Sequence, residues 1–306
     1  MDIGCFEILY LPGQTQSLPE PFQGFDVSDI NEAPYRELQA FHRFAKERAW
    51  NRHAYSGLFS PRFLAKTGLT SQAFVRFMRE HPGHDVYLFH PFPREFSIAN
   101  HFLELAEMEH PGITAGLDYV WSQIMECRRP DILLPEDAIH CCHCNYFVAS
   151  KRFWSEYGRF VERFMELLNS RDDGPLHALT PYTLSKSDEQ QLPLAVFVFE
   201  RSLSLFLKHH EHRWATVNLS QTPDARWSPP ELFPGEDPYV AHLRAEIGHG
   251  SDNAAVLQLR RRAAVHAYYQ HRKESFKRGC EGTPAVKPVQ AMFSDSRHEV
   301  CEPSAI

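Results

Sequence analysis

Three cysteines and two histidines crowd into five residues, His140, Cys141, Cys142, His143 and Cys144, within the stretch IHCCHCNYFVASKRFW. Thiolate and imidazole are the usual zinc ligands, so metal binding is the first chemistry to weigh. A tetrahedral site draws ligand pairs from separate places in a chain, because adjacent side chains cannot fill four corners. Cys141 and Cys144 have the C-x-x-C gap, but Cys5, Cys127, Cys280 and Cys301 are solitary and supply no second pair. The run His209 to His212 (HHEH) follows an apolar segment and reads as a solvated helix end. A redox C-x-x-C opens a helix, whose N-terminus lowers the thiol pKa, whereas this one leads into the strand-like NYFVAS. The role expected of these cysteines is packing at the approach to a buried strand.

The elements that would position such residues alternate along the first two-thirds of the chain. FEILYL (Phe6 to Leu11), AYSGLF (Ala54 to Phe59), DVYLFH (Asp85 to His90), DILLP (Asp131 to Pro135) and NYFVAS (Asn145 to Ser150) are apolar and strand-sized. Between them, Ala33 to Arg48 places Tyr35, Leu38, Phe41 and Ala45 on one helical face. Ser71 to His81 and Phe96 to His110 read as further helices, and GITAGLDYVWSQIMEC resumes after the break at Pro111-Gly112. Lys151 to Leu168 repeats apolar residues at helical spacing behind Ser150, a good N-cap. Leu194 to His210 reads as a buried strand or loop running into an apolar helix, and Trp214 to Leu219 as a late strand. Such alternation predicts an α/β layered fold with a mostly parallel sheet, helices on both faces and a ligand beyond the carboxyl ends of the strands.

Composition sets the bounds. The chain has 306 residues, 43% hydrophobic and 23% charged, enough for one large core. Its 32 basic and 39 acidic residues leave a net charge of −7, which argues against a general nucleic-acid binder. No apolar run reaches membrane-helix length and MDIGCFEILYLPG lacks the features of a signal peptide, so a cytoplasmic protein with free thiols is expected. Residues 221–279 hold a proline-rich segment and a basic helix at 253–273, expected to pack on the same domain, and 280–306 read as a poorly ordered tail.

CNYFVASKRFWSEYGRFVERF (Cys144 to Phe164) resembles a segment of bacterial polysaccharide-biosynthesis glycosyltransferases, in which an Asn-aromatic-Phe strand precedes an aromatic-rich helix. Three other stretches agree in order: Ile30 to Phe63, DVYLFHPFP (Asp85 to Pro93) and FVFERSLSLFL (Phe197 to Leu207). The resemblance spans residues 6–220 and implies a GT-A-like nucleotide-sugar transferase domain over residues 1–220. It implies a nucleotide-sugar donor, a glycan or lipid-linked glycan acceptor, and manganese or magnesium as cofactor. Two features depart from the family: FSPRF keeps only Arg62 of its basic turn, and no Asp-x-Asp ends a strand.

Sugar transfer needs neutralised phosphates, a positioned sugar and, for inversion, a base. Arg36, Arg62 and Lys66 are candidates for the phosphates, against the plain reading of solvated surface cations. Glu37 would orient an arginine or the nucleotide, or be an exposed helical charge. Glu200 follows four apolar residues and must be paired if buried; it would brace an arginine or serve as base. His90, at a carboxyl strand end, is the other catalytic candidate, and Asn145 would bond a sugar hydroxyl or cap local backbone. The basic helix, with Arg260, Arg261 and Arg262, would touch an anionic membrane surface or be plainly solvated. Two alternatives stand beside the transferase: a catalytically degenerate relative that binds a glycan or a protein, and a small zinc-binding regulator.

Overall fold

The computed structural model describes residues 1–30, 35, 37–67, 69–89, 102–130, 142, 144–170, 174–183, 189–210 and 212–216. Its strands are β1 (Ile3–Leu9), β2 (Phe22–Asp26), β3 (Tyr55–Phe59), β4 (Val86–Leu88), β5 (Phe147–Ser150), β6 (Leu179–Thr183), β7 (Glu189–Pro193) and β8 (Trp214–Thr216). Six of them form one sheet in the order β2-β1-β3-β5-β4-β8, while β6 and β7 pair antiparallel as a separate hairpin. β1 runs parallel to β2 and β3, and β4 parallel to β8. β5 lies between β3 and β4 and runs against both. The sheet is therefore mixed rather than mostly parallel. Ser150 ends β5 and caps the next helix directly.

Period-two alternation divides the strand side chains between two cores. Phe6, Ile8, Leu58, Val86, Leu88, Phe147 and Ala149 face the larger core, and Cys5, Phe59, Tyr87, Phe89, Tyr146 and Val148 the smaller. Helices cover both. α1 (Glu37–Lys46), α4 (Phe102–Glu109), α5 (Ile113–Val120), α6 (Lys151–Asn169) and α7 (Leu194–His209) pack on the first face, and α2 (Phe63–Thr67) and α3 (Ser71–Glu80) on the second. This is the α/β architecture with helices on both faces that the sequence predicts.

α6 forms as its pattern predicts. The Ser150 hydroxyl accepts from the Phe153 amide at 3.3 Å, and Phe153, Tyr157, Phe160, Val161, Phe164 and Leu168 are buried along one stripe. Trp154 seats the helix on the sheet by donating its indole N–H to the Ser56 carbonyl at 2.7 Å. Against α6 pack Phe41 and Phe44 of α1, both in contact with the Trp154 ring.

α7 is helical from Leu194 onward, with no strand or loop at its start. Thirteen of its residues are buried, so it is apolar nearly all round, and an element buried on every side carries no amphipathic period to distinguish it from a strand. Gly116 of α5 lets the two helices close together, since a Cβ there would stand 2.6 Å from Val198 Cγ2. The segments 131–135, 217–219, 253–273 and 280–306 lie outside the described residues. Among the described residues no helix is long and apolar enough to cross a membrane.

Candidate functional site

Strand register fixes which residues share an edge of the sheet. Tyr55 pairs with Ser150 and Leu88 with Phe147, so the residues just before β5 stand beside the carboxyl ends of β3 and β4. The Phe89 amide extends this ladder by donating to the Tyr146 carbonyl at 2.9 Å. Asn145 and Tyr146 thus occupy the edge where open α/β sheets gather ligand-binding groups.

Side chains from both helical layers converge there. Glu37 comes from the first turn of α1, Glu200 from the middle of α7 and Lys66 from α2 across the sheet. Burial, then the Glu200 charge, push the Glu37 carboxyl up to about 7, against partial relief from Lys66 and the Asn145 amide. A helix N-terminus favours a partly buried carboxylate by up to about 2 kcal/mol, less than the roughly 3 kcal/mol that such a shift represents. The displaced pKa therefore survives the helix field. Glu200 is also raised by burial, although Arg201 and Lys66 oppose the shift. Its side chain is 25% exposed, so it stands where the core meets solvent rather than sealed within it.

Arg201 Nη1 donates to Glu200 Oε2 at 3.0 Å and Nη2 lies 3.7 Å from Glu109 Oε2. Burial works against the Lys66 ammonium, but Cys144, Tyr146 and Glu200 outweigh it and raise its pKa. The ammonium sits 3.8 Å from Cys144 Sγ and 5.7 Å from the centre of the Tyr146 ring. Tyr146 is fixed in turn by a 2.8 Å hydrogen bond with the Ser60 hydroxyl.

Asn145 is fully buried, and neither its Oδ1 nor its Nδ2 completes a hydrogen bond, although the amide lies near enough to Glu37 to favour that carboxylate's charged form. It does not cap local backbone. Buried polar side chains nearly always have partners, so this amide, beside a carboxyl that exchanges protons near neutrality, marks where an added polar group would bond.

Four of the sequence candidates, Glu37, Lys66, Asn145 and Glu200, thus lie close enough to act on one another, and we call the space beside them the crevice. Glu37 is not an exposed helical charge and Lys66 is not a solvated surface cation. Arg62 adjoins them, opposing the Lys66 charge electrostatically. Arg36 and His90 lie outside the described residues. Sequence reasoning missed Tyr146 and the Arg201–Glu109 contact; the aromatic beside Asn145 was a usable signal, but the contact between α4 and α7 was not.

Of the Cys/His stretch, Cys142 and Cys144 are described, and both are buried. Burial pushes the Cys144 thiol up to about 12 and raises Cys142 as well. Cys142 Sγ donates to the Cys144 carbonyl at 2.6 Å, and the Cys142 amide donates to the Ser204 hydroxyl at 2.7 Å. These thiols pack, as expected of them.

The HHEH run differs from its sequence reading. His212 is buried and His210 partly so; His212 Nε2 stands 3.0 Å from Glu156 Oε2, and His210 Nδ1 3.7 Å from the same oxygen. The helix end is not simply solvated, because the chain turns there into β8 and folds His212 back against α6.

Compared with protein-family models, curated proteins and solved structures, the chain matches none.

Proposed function

We propose that the protein binds a hydroxyl-rich ligand, a sugar or a glycan end, in the crevice of Glu37, Lys66, Asn145 and Glu200. The observation that carries this reading is Asn145, fully buried at the edge of the sheet, with its amide beside Glu37 and completing no well-formed hydrogen bond. A hydroxyl both donates and accepts, which suits an amide beside the Glu37 carboxyl, whose pKa of about 7 lets it do either.

A second reading is transfer of a sugar from a nucleotide-sugar donor to a glycan by a GT-A-like enzyme. It is favoured by the Glu37 carboxyl, whose pKa of about 7 suits a group that must exchange a proton with an acceptor hydroxyl at neutral pH. Glu200 would then hold the sugar or share the base role with Glu37, Arg62 and Lys66 would meet the phosphates, and manganese or magnesium would assist. Against it stands the lack of an Asp-x-Asp in the sequence.

A thermal-shift panel of UDP, GDP, CMP and dTDP, their sugar conjugates and free monosaccharides, each with manganese, magnesium or EDTA, tests both readings. Shifts with free sugars that persist in EDTA support binding, and shifts that need the nucleotide and a metal support transfer. No shift with any member rejects both.

A further inference from the structure

Glu156, His210 and His212 present one ligand atom each within 4.8 Å of one another. They come from three elements: the second turn of α6, the C-cap of α7 and the short link into β8. The two oxygens of Glu156 divide their work. Oε1 faces Arg152 at 3.8 Å, and Oε2 faces both imidazoles at 3.0 and 3.7 Å. The rings are held by packing, His210 against Phe206 with centroids 4.2 Å apart and His212 edge-on to Phe153 at 5.1 Å. The nitrogens that face Glu156 are His210 Nδ1 and His212 Nε2, and the opposite nitrogen of each ring is buried.

The geometry points to a zinc site built from Glu156, His210 and His212. Two imidazoles and one carboxylate are a common three-ligand set for zinc, and imidazole selects it over magnesium or calcium. Metal–ligand bonds of about 2.0 to 2.2 Å require donor atoms roughly 3.3 Å apart in a tetrahedron. The two separations from Glu156 Oε2, 3.0 and 3.7 Å, bracket that value, and all three ligand atoms lie within 4.8 Å of one another, so binding asks for side-chain shifts on the order of 1 Å. Among the described residues three ligands converge, which leaves the fourth corner to water.

The site is independent of the crevice. β4 starts at Val86 opposite Trp214, and Ser150 ends β5 opposite Tyr55, so the cluster lies at the amino-terminal edge of β3 and β4. The crevice lies at the other edge. The cation is therefore a clip joining α6, the end of α7 and the start of β8, and not a partner of a phosphate bound beside Glu200.

The test is a competition titration of zinc against a chromophoric chelator, using chelator-treated full-length protein, with cobalt spectra and melting curves alongside. The variants are His210→Ala, Glu156→Gln and Cys144→Ser. His210 is only partly buried, and Glu156→Gln keeps the shape of α6, so these two test the ligands without emptying the core. Wild type is expected to bind one zinc, to give the intense visible bands of four-coordinate cobalt, and to melt several degrees higher with zinc. Loss of an outer partner of a ligand weakens a metal site by about 10- to 100-fold, so loss of a ligand should cost at least about 100-fold. Cys144→Ser should bind as wild type does. The proposal is overturned if wild type takes up no zinc, or if both His210→Ala and Glu156→Gln retain wild-type affinity. Loss of binding in Cys144→Ser alone would also overturn it, by moving the metal to the Cys/His stretch.

Discussion

The carboxyl of Glu37, in the first turn of α1, lies close enough to that of Glu200, in the middle of α7, for the charge on Glu200 to raise its pKa. With burial, this brings Glu37 to about 7, against an ordinary 4.5. Between those values the folded chain holds a proton that the unfolded chain has released. Stability must therefore fall as pH rises from 4.5 to 7 and level off above. The full shift corresponds to about 3 kcal/mol, and partial solvent contact reduces the expected loss to about 1–2 kcal/mol. Urea unfolding of wild type and Glu37→Gln across this range should give a falling curve for the first and a flatter one for the second.

Asn145→Leu separates folding from binding. Replacing a buried amide that completes no well-formed hydrogen bond by an apolar group of similar size should leave stability unchanged within about 1 kcal/mol, or raise it. The same change should abolish any thermal shift caused by a sugar. A large loss of stability would mean that Asn145 is bonded within the fold.

Buried thiols with raised pKa values are poor nucleophiles. Cys5 and Cys144, both pushed up to about 12, and Cys142 should resist alkylation at pH 8 in the folded protein and react only on unfolding. Cys127, partly exposed, should label first among these four. Peptide mapping by mass spectrometry after a short pulse of iodoacetamide reads the order directly.

Trp154→Phe removes the 2.7 Å hydrogen bond to the Ser56 carbonyl and part of the ring that Phe41 and Phe44 pack against. A buried carbonyl left without its donor costs about 1–3 kcal/mol, so the variant should unfold at distinctly lower denaturant with an unchanged slope.

Local signals made part of this legible. α6 could be read because Ser150 and a one-sided aromatic stripe lie within a single helix. β2 could not, since of FQGFD only Phe22 is buried and the strand owes its place to pairing with β1. The antiparallel course of β5 was equally invisible, because NYFVAS reads the same in either direction. At the crevice, the residue types at Glu37, Lys66, Asn145 and Glu200 were suggestive, but their meeting depends on α1, α2 and α7 converging over one sheet edge. The HHEH run was misread because its partner, Glu156, lies 54 to 56 residues earlier in the chain.

Saturation-transfer NMR on wild type and Asn145→Leu, with a mixture of monosaccharides and UDP-, GDP-, CMP- and dTDP-sugars, tests the crevice most directly. Saturation of sugar-ring protons in wild type that disappears in a folded Asn145→Leu is the predicted result. Absence of saturation in wild type, or saturation that survives the substitution, would contradict a sugar site at Glu37, Lys66, Asn145 and Glu200.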